Sequence, residues 1–179
     1  ASSLHSGFDN WIYGCVGYSG IEGMVGGKMQ KFSMGTYRFK PDGSALEFLH
    51  HFTNNAWGHG TNDAGDQFGG TANGAPLFFG GIPATAYPEG ARGMTAKKIN
   101  VVDTCHTITP NFRQVDVFGG YTSAAGSNFI YSDALPSRFQ GMAMVCEPTM
   151  KVVSLMNVQP DGAGWKAVDG YNIYASSDE

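Results

Sequence analysis

Two Pro-Asp-Gly turns, Pro41-Asp42-Gly43 and Pro160-Asp161-Gly162, recur in the same place within a longer pattern. Each follows a strand that itself follows an aromatic or apolar strand: residues 10–18 in the first case, residues 142–147 in the second. Proline fixes φ at the turn entrance and glycine accepts a positive φ at its exit, so both triplets read as tight reversals between strands. Asp66-Gln67-Phe68 also echoes Asp9-Asn10-Trp11 at a strand opening. A chain punctuated this way favours repeated antiparallel units.

The segments between the turns carry the two-residue period of half-buried strands. Thr36-Tyr37-Arg38-Phe39-Lys40 alternates polar and aromatic residues, and residues 45–52 return as its partner. Residues 56–61 and 66–71 form a second hairpin around Asn62-Asp63-Ala64-Gly65. Further strands are expected at 97–102, 127–132, 142–147, 151–158 and 171–174, with an inner segment at 106–110. The glycines between 20 and 27 read as a loop. Residues 74–95, with Pro76, Pro83 and Pro88, read as a long connection of the kind that often carries function.

Composition agrees: 12 Phe, 8 Tyr and 3 Trp suit pleated surfaces, and 26 Gly keep the segments short. No segment holds a helical period. The expected fold is all-β, a partial β-propeller of about two to three blades, since a blade is four strands in roughly 40 to 50 residues. A closed ring takes about four to eight blades. The chain is therefore expected to be part of one propeller domain in a longer polypeptide, completed by the remainder of its ring or by other subunits. The opening Ala1-Ser2-Ser3 and the end at Asp178-Glu179 fit cuts within such a polypeptide.

A formal net charge of −4 with one basic doublet, Lys97-Lys98, gives no footprint for nucleic acid. No stretch reaches the roughly 18 apolar residues of a membrane-spanning helix. Cys15, Cys105 and Cys146 are widely spaced and form no C-x-x-C pair; buried free thiols fit them, and one disulfide plus one free thiol also fits.

Several stretches resemble a known family. Asp9-Asn10-Trp11-Ile12-Tyr13-Gly14, the run from Tyr37 to Gly43, and Asn54-Asn55-Ala56-Trp57-Gly58 resemble propeller segments of the membrane-bound dehydrogenases. So do Tyr121-Thr122-Ser123-Ala124-Ala125-Gly126, Phe129-Ile130-Tyr131 and Val145-Cys146-Glu147-Pro148. The resemblance implies a six-bladed propeller of the soluble glucose and sorbosone dehydrogenase type, periplasmic or extracellular, often joined to a c-type haem domain. It implies oxidation of a sugar or alcohol hydroxyl with pyrroloquinoline quinone (PQQ) held near calcium, and electron transfer to a haem partner. Two departures are visible. Asn54 stands nearest the position where quinoprotein relatives present an Arg to the quinone, and Thr149-Met150-Lys151 replaces a His-containing stretch after Glu147-Pro148. The loop Asn73-Gly74-Ala75-Pro76 falls where related enzymes hold calcium and could offer carbonyl oxygens.

His59 lies between Gly58 and Gly60 in a strand expected near the propeller axis, the leading candidate for a catalytic base. A hydrogen-bonded structural histidine fits the same place. His106 follows Cys105 in half of a haem-attachment motif, with Val102 where the first Cys would stand, so haem on this chain is not expected. It remains a cofactor candidate as a channel-facing strand residue, or a core histidine making one backbone bond. His50 and His51 point to opposite faces of a strand and cannot share a metal. Asn62, Asp63 and Asp66 lack the ligand ladder of a calcium loop and fit a turn. Arg92, Arg113 and Arg138 fit solvated surface positions. Glu147 fits an ion-paired structural carboxylate or a channel-facing acid. Two functions remain: a quinoprotein-type dehydrogenase, and a non-catalytic propeller that binds a glycan or protein within an exported complex.

Overall fold

A computed structural model describes residues 1–88, 95–110, 117, 119–170 and 172–176. Fifteen strands are present among them. In chain order they are β1 (Ser2–Ser6), β2 (Ile12–Val16), β3 (Ile21–Val25), β4 (Lys28–Phe32), β5 (Gly35–Phe39), β6 (Leu46–His51), β7 (Ala56–Thr61) and β8 (Gln67–Thr71). Then come β9 (Phe78–Phe79), β10 (Lys97–Lys98), β11 (Ala125–Phe129), β12 (Ala143–Glu147), β13 (Val152–Asp161), β14 (Gly164–Asp169) and β15 (Tyr174–Ala175). The described helices are two single turns of 3₁₀ helix, Ala84–Ala86 and Ser137–Phe139.

The strands form three successive antiparallel meanders, ordered β1-β2-β5-β6, β7-β8-β9-β10 and β11-β12-β13-β14. The first strands of the meanders lie side by side, β7 against both β1 and β11. Three sheets, each built on a four-stranded meander and the third extended by β15, whose leading strands converge, are three blades of a β-propeller arc.

Convergence at the centre requires small residues. A Cβ on Gly58 would stand 2.4 Å from Ser127 Oγ, and one on Gly60 would stand 2.4 Å from the Ser127 carbonyl oxygen. Only hydrogen at those positions lets the backbones of β7 and β11 meet, which is why so glycine-rich a strand sits there.

Cores fill the spaces between blades. Between the first and second blades lie Cys15, Phe52, Ala56, Ala75, Phe78 and Ala96, with the Phe52 and Phe78 rings stacked at 4.8 Å. Between the second and third lies a larger cluster around Phe68, Leu77, Tyr121, Val145, Met150 and Met156, sealed by Phe79, Phe129 and Trp165. Apolar burial of this kind supplies the main driving force, roughly 25 cal/mol per Å² removed from water.

Four local expectations change. The glycine-rich stretch from 20 to 27 is not a plain loop: β3 and β4 form a hairpin, closed by Gly26 and Gly27 at φ of 56° and 75°. A Gly-Gly pair supplies the two positive φ values that a tight two-residue hairpin needs. The strand expected at 97–102 is formal only at Lys97–Lys98, because residues 99–101 turn to run parallel to Ala167 of β14. The segment 106–110 is not a strand. The outer strand β14 follows the Gly162 turn, and the short β15 pairs with the opposite end of β13. Arg92, Arg113, Tyr171, Asp178 and Glu179 lie outside the described residues.

Candidate functional site

The loops entering β7 and β11 and the β8–β9 turn meet at one end of the arc. Together they frame a pocket of about 400 Å³ lined by Asn55, Trp57, Ala72, Asn73, Thr122, Ser123 and Ala125. Backbone bonds join the three segments: Ala72 N–H donates to the Asn55 carbonyl, Ala124 N–H to the Ala72 carbonyl, and Gly74 N–H to the Tyr121 carbonyl, at 2.8–2.9 Å. Trp57 stays 44% exposed.

Tyr18 holds the two asparagines that precede β7. Its backbone N–H donates to Asn55 Oδ1 at 3.2 Å and its hydroxyl donates to Asn54 Oδ1. Asn55 fits beneath it because residue 17 is glycine, where a Cβ would fall 1.6 Å from Asn55 Oδ1. On the opposite side, Glu147 is fully buried and its carboxylate accepts from the backbone N–H groups of Thr122, Ser123 and Thr149, each at 3.0 Å, and from the Thr149 hydroxyl. Among the described residues Glu147 has no ion-pair partner, and its oxygens are taken up by these donors. It is the anchor that shapes the 122–123 wall of the pocket.

Deeper along the same strands, Ser3, Leu4, His5, His59, Gly126, Ser127, Asn128, Met144 and Cys146 surround a hollow of about 280 Å³. His59 is 3% exposed and both ring nitrogens are engaged. Nε2 lies 2.7 Å from Gln67 Oε1, and Nδ1 lies 3.2 Å from His5 Nε2. The His5, His59 and Tyr13 rings stack at 4.7 and 5.3 Å. Burial, reinforced by His5, pushes the His59 imidazole down to about 3, so it stays neutral across the physiological range.

Beside this stack, Arg38 ties β5 to its neighbours. Its guanidinium donates to Glu47 at 2.8 Å, to Asp9 at 3.2 Å and to the Tyr13 hydroxyl at 3.2 Å, and it lies 4.4 Å from the Trp11 ring centroid. Tyr13 O–H donates in turn to Asp9 at 2.8 Å.

Three of the sequence candidates come together at the end-face pocket. Asn73 lines it; Gly74 is bonded to Tyr121 beside it; Asn54 stands at its edge with Oδ1 held by Tyr18 and by the Asn55 N–H. His59 lies further along β7, in the hollow. His106 is elsewhere. It is not in a strand, and its exposed ring reaches Asp169 of the outermost strand β14 at 3.0 Å, while its carbonyl accepts from Asn172. His50 and His51 point to opposite faces of β6 as expected, bonded to Thr36 and Thr95 respectively. Asn62 and Asp66 close their turn on each other, with Asp66 N–H donating to Asn62 Oδ1 at 2.8 Å. Arg138 is a surface residue over the Phe139 ring. All three cysteines are free, with Cys15 and Cys105 buried and Cys146 exposed.

The pocket residues do not fit PQQ. That quinone carries three carboxylates, and among the described residues the lining offers amides, hydroxyls and an indole but no Arg, Lys or His. The Asn73 carbonyl accepts from the Thr71 hydroxyl, and among the described residues no group of three His, Cys, Asp or Glu side chains is arranged to hold a metal ion.

Fold and site together define an all-β, propeller-type protein with a neutral, aromatic-bearing pocket at the convergent end of its blades. The chain belongs to the family described as Domain of unknown function (DUF7133), whose model matches residues 1–179. No curated protein and no solved structure matches it.

Trp57, Asn55, Thr122, Ser123 and Tyr18 were not singled out as site residues by the sequence. One signal was present: a Trp set among Ala56, Gly58 and Gly60, where packing around it is deliberately small. Nothing in sequence spacing joins positions 18, 57, 73 and 122.

Proposed function

We propose that the protein is a carbohydrate-binding propeller, with the end-face pocket as its binding site. The observation that carries this is the exposed Trp57 ring standing among Asn55, Asn73, Thr122 and Ser123 in a pocket that, among the described residues, has no charged side chain. An indole face stacks on the apolar C–H face of a pyranose, while amides and hydroxyls satisfy the sugar hydroxyls around its edge. The propeller supplies rigidity: each wall of the pocket is fixed to a different blade or loop through the backbone bonds above. An exported setting, periplasmic or extracellular, follows from the family resemblance and suits an extracellular glycan.

Sugar oxidation, which the same resemblance implies, would need a proton acceptor at the substrate hydroxyl. His59 offers no free lone pair for that, since one nitrogen faces Gln67 and the other faces His5. The binding function therefore ranks first.

Calorimetric titration with a panel of neutral oligosaccharides tests it. At least one should bind and quench Trp57 fluorescence, and Trp57→Ala should weaken it about tenfold, on the order of 1.4 kcal/mol. If no sugar binds but the protein turns over a sugar when supplied with PQQ and calcium, the dehydrogenase function replaces this one.

A further inference from the structure

A second hollow, of about 410 Å³, adjoins the end-face pocket at Ala125, the first residue of β11. Ala125 lines both, so the divide between them at this point is a methyl group. A β-bulge lies beside it: Ala125 pairs with Cys146 and Ser127 with Val145, which leaves Gly126 between them at a φ of 63°. A bulge of this kind bends its strand and re-aims the neighbouring side chains. Glu147 then fixes one hollow to the other. It lines the second, and its carboxylate accepts from Thr122 and Ser123 N–H on the wall of the first.

The second hollow carries its own aromatic ring. Strand β15 pairs with the start of β13, with Tyr174 opposite Val153, and Ser176 N–H donates to the Lys151 carbonyl at 2.9 Å. Tyr174 is thereby held in the lining by backbone bonds, yet it stays 61% exposed. Beside it Pro148, Val152, Val153 and Ala175 give an apolar floor, with Lys151 and Ser176 among the polar members of the lining. Trp57 lines the first hollow and Tyr174 the second, and neither ring lines the other's. A single pyranose seated on Trp57 therefore leaves Tyr174 unused.

We propose that the two hollows are consecutive subsites for one linear, neutral oligosaccharide, which stacks on Trp57, crosses Ala125 and stacks again on Tyr174. This rests on the carbohydrate-binding function proposed for the end-face pocket, and it sharpens the ligand to a chain of several sugar units. Two rings set apart along one groove meet the C–H faces of different units. Once the first unit is bound, the second contact forms within the same complex, so affinity rises with chain length. Continuity with the end-face pocket at Ala125 assigns this occupant to an otherwise mainly apolar hollow.

The test is calorimetry with disaccharides, tetrasaccharides and hexasaccharides of α- and β-linked glucose and of β-linked mannose, xylose and N-acetylglucosamine. In a series that binds, the hexasaccharide should bind about tenfold or more tightly than the disaccharide. Tyr174→Ala should weaken the hexasaccharide about fivefold and leave the disaccharide unchanged, whereas Tyr174→Phe should keep both affinities. Trp57→Ala should weaken every length. Equal affinity for all lengths, or a hexasaccharide indifferent to Tyr174→Ala, overturns the proposal and leaves the end-face pocket as a site for a single sugar. No binding by any oligosaccharide overturns the carbohydrate-binding function and this proposal with it. Sedimentation showing a protein dimer that Tyr174→Ala abolishes gives the second hollow to another copy of the chain, which also overturns the proposal.

Discussion

Gly58 of β7 faces Ser127 of β11 so closely that a methyl group on Gly58 would sit 2.4 Å from the Ser127 hydroxyl and 2.9 Å from its backbone nitrogen. The second contact is with backbone, which cannot rotate away. Blade convergence therefore depends on the absence of one side chain.

Gly58→Ala should cost about 1–3 kcal/mol, the range for overpacking a closed interior. Urea denaturation measures it. A control at Gly23, where a Cβ meets nothing within 4 Å, should change stability little by comparison.

Glu147 accepts four hydrogen bonds from the 122–123 and 149 segments. Glu147→Gln replaces one acceptor oxygen with an NH₂ that points donors at donors. Stability should fall by about 1–3 kcal/mol, and affinity for any end-face ligand should fall with it, read by calorimetry on the folded fraction. Glu147→Asp keeps the charge but not the reach, and should recover only part of both.

Acid should destabilise the fold through its buried histidines. Burial lowers His50 to about 4 and His59 to about 3, below their ordinary value of 6.5. Between 6.5 and those values the unfolded chain binds more protons than the fold, so stability rises with pH and is lost as pH falls through this window. The slope approaches about 1.4 kcal/mol per pH unit for each histidine once its unfolded form is protonated. Chemical denaturation from pH 7 to pH 4 should show this decline, and His50→Asn should reduce it.

Thiol labelling should separate the cysteines. Cys146 is exposed, whereas burial raises Cys15 and pushes Cys105 up to about 12. A water-soluble thiol reagent at pH 7.5 should modify one cysteine rapidly and the other two only on unfolding, with the site read by peptide mass spectrometry.

Arg38 joins the part-exposed Asp9, Glu47 and Trp11 and the hydroxyl of buried Tyr13. Arg38→Lys should lose the forked contacts while keeping charge, so it should behave nearly like Arg38→Ala. Loss of about 1 kcal/mol in thermal or urea unfolding is expected for either, reduced in high salt.

Blade grammar was legible in the sequence because it is local. Alternating aromatics at 36–40, the Asn62–Gly65 turn and the Pro41-Asp42-Gly43 reversal each declare a strand or turn from a few adjacent residues. The second triplet was misleading in part: Pro160 and Asp161 pair within β13, and the reversal falls at Gly162-Ala163. The β3–β4 hairpin was obscured because its glycines signal a loop and a two-residue hairpin turn equally well; only pairing such as Glu22 with Lys31 distinguishes them. The candidate site was legible only in part. Asn73, Gly74 and Asn54 were marked by resemblance, and His59 by its glycine neighbours, but His106 has the same residue type and an outer-edge position.

By itself, then, the sequence determined an all-β chain of repeated hairpin units with small residues along one strand, because backbone conformation and alternation are decided within a few positions. Tertiary structure alone decided which residues meet. Tyr18, Asn55, Trp57 and Thr122 come from different loops and strands, and His5 and His59 are 54 positions apart. Their proximity arises from convergence of the leading strands, which is governed by packing between blades and by the missing Cβ at Gly58, not by any local preference.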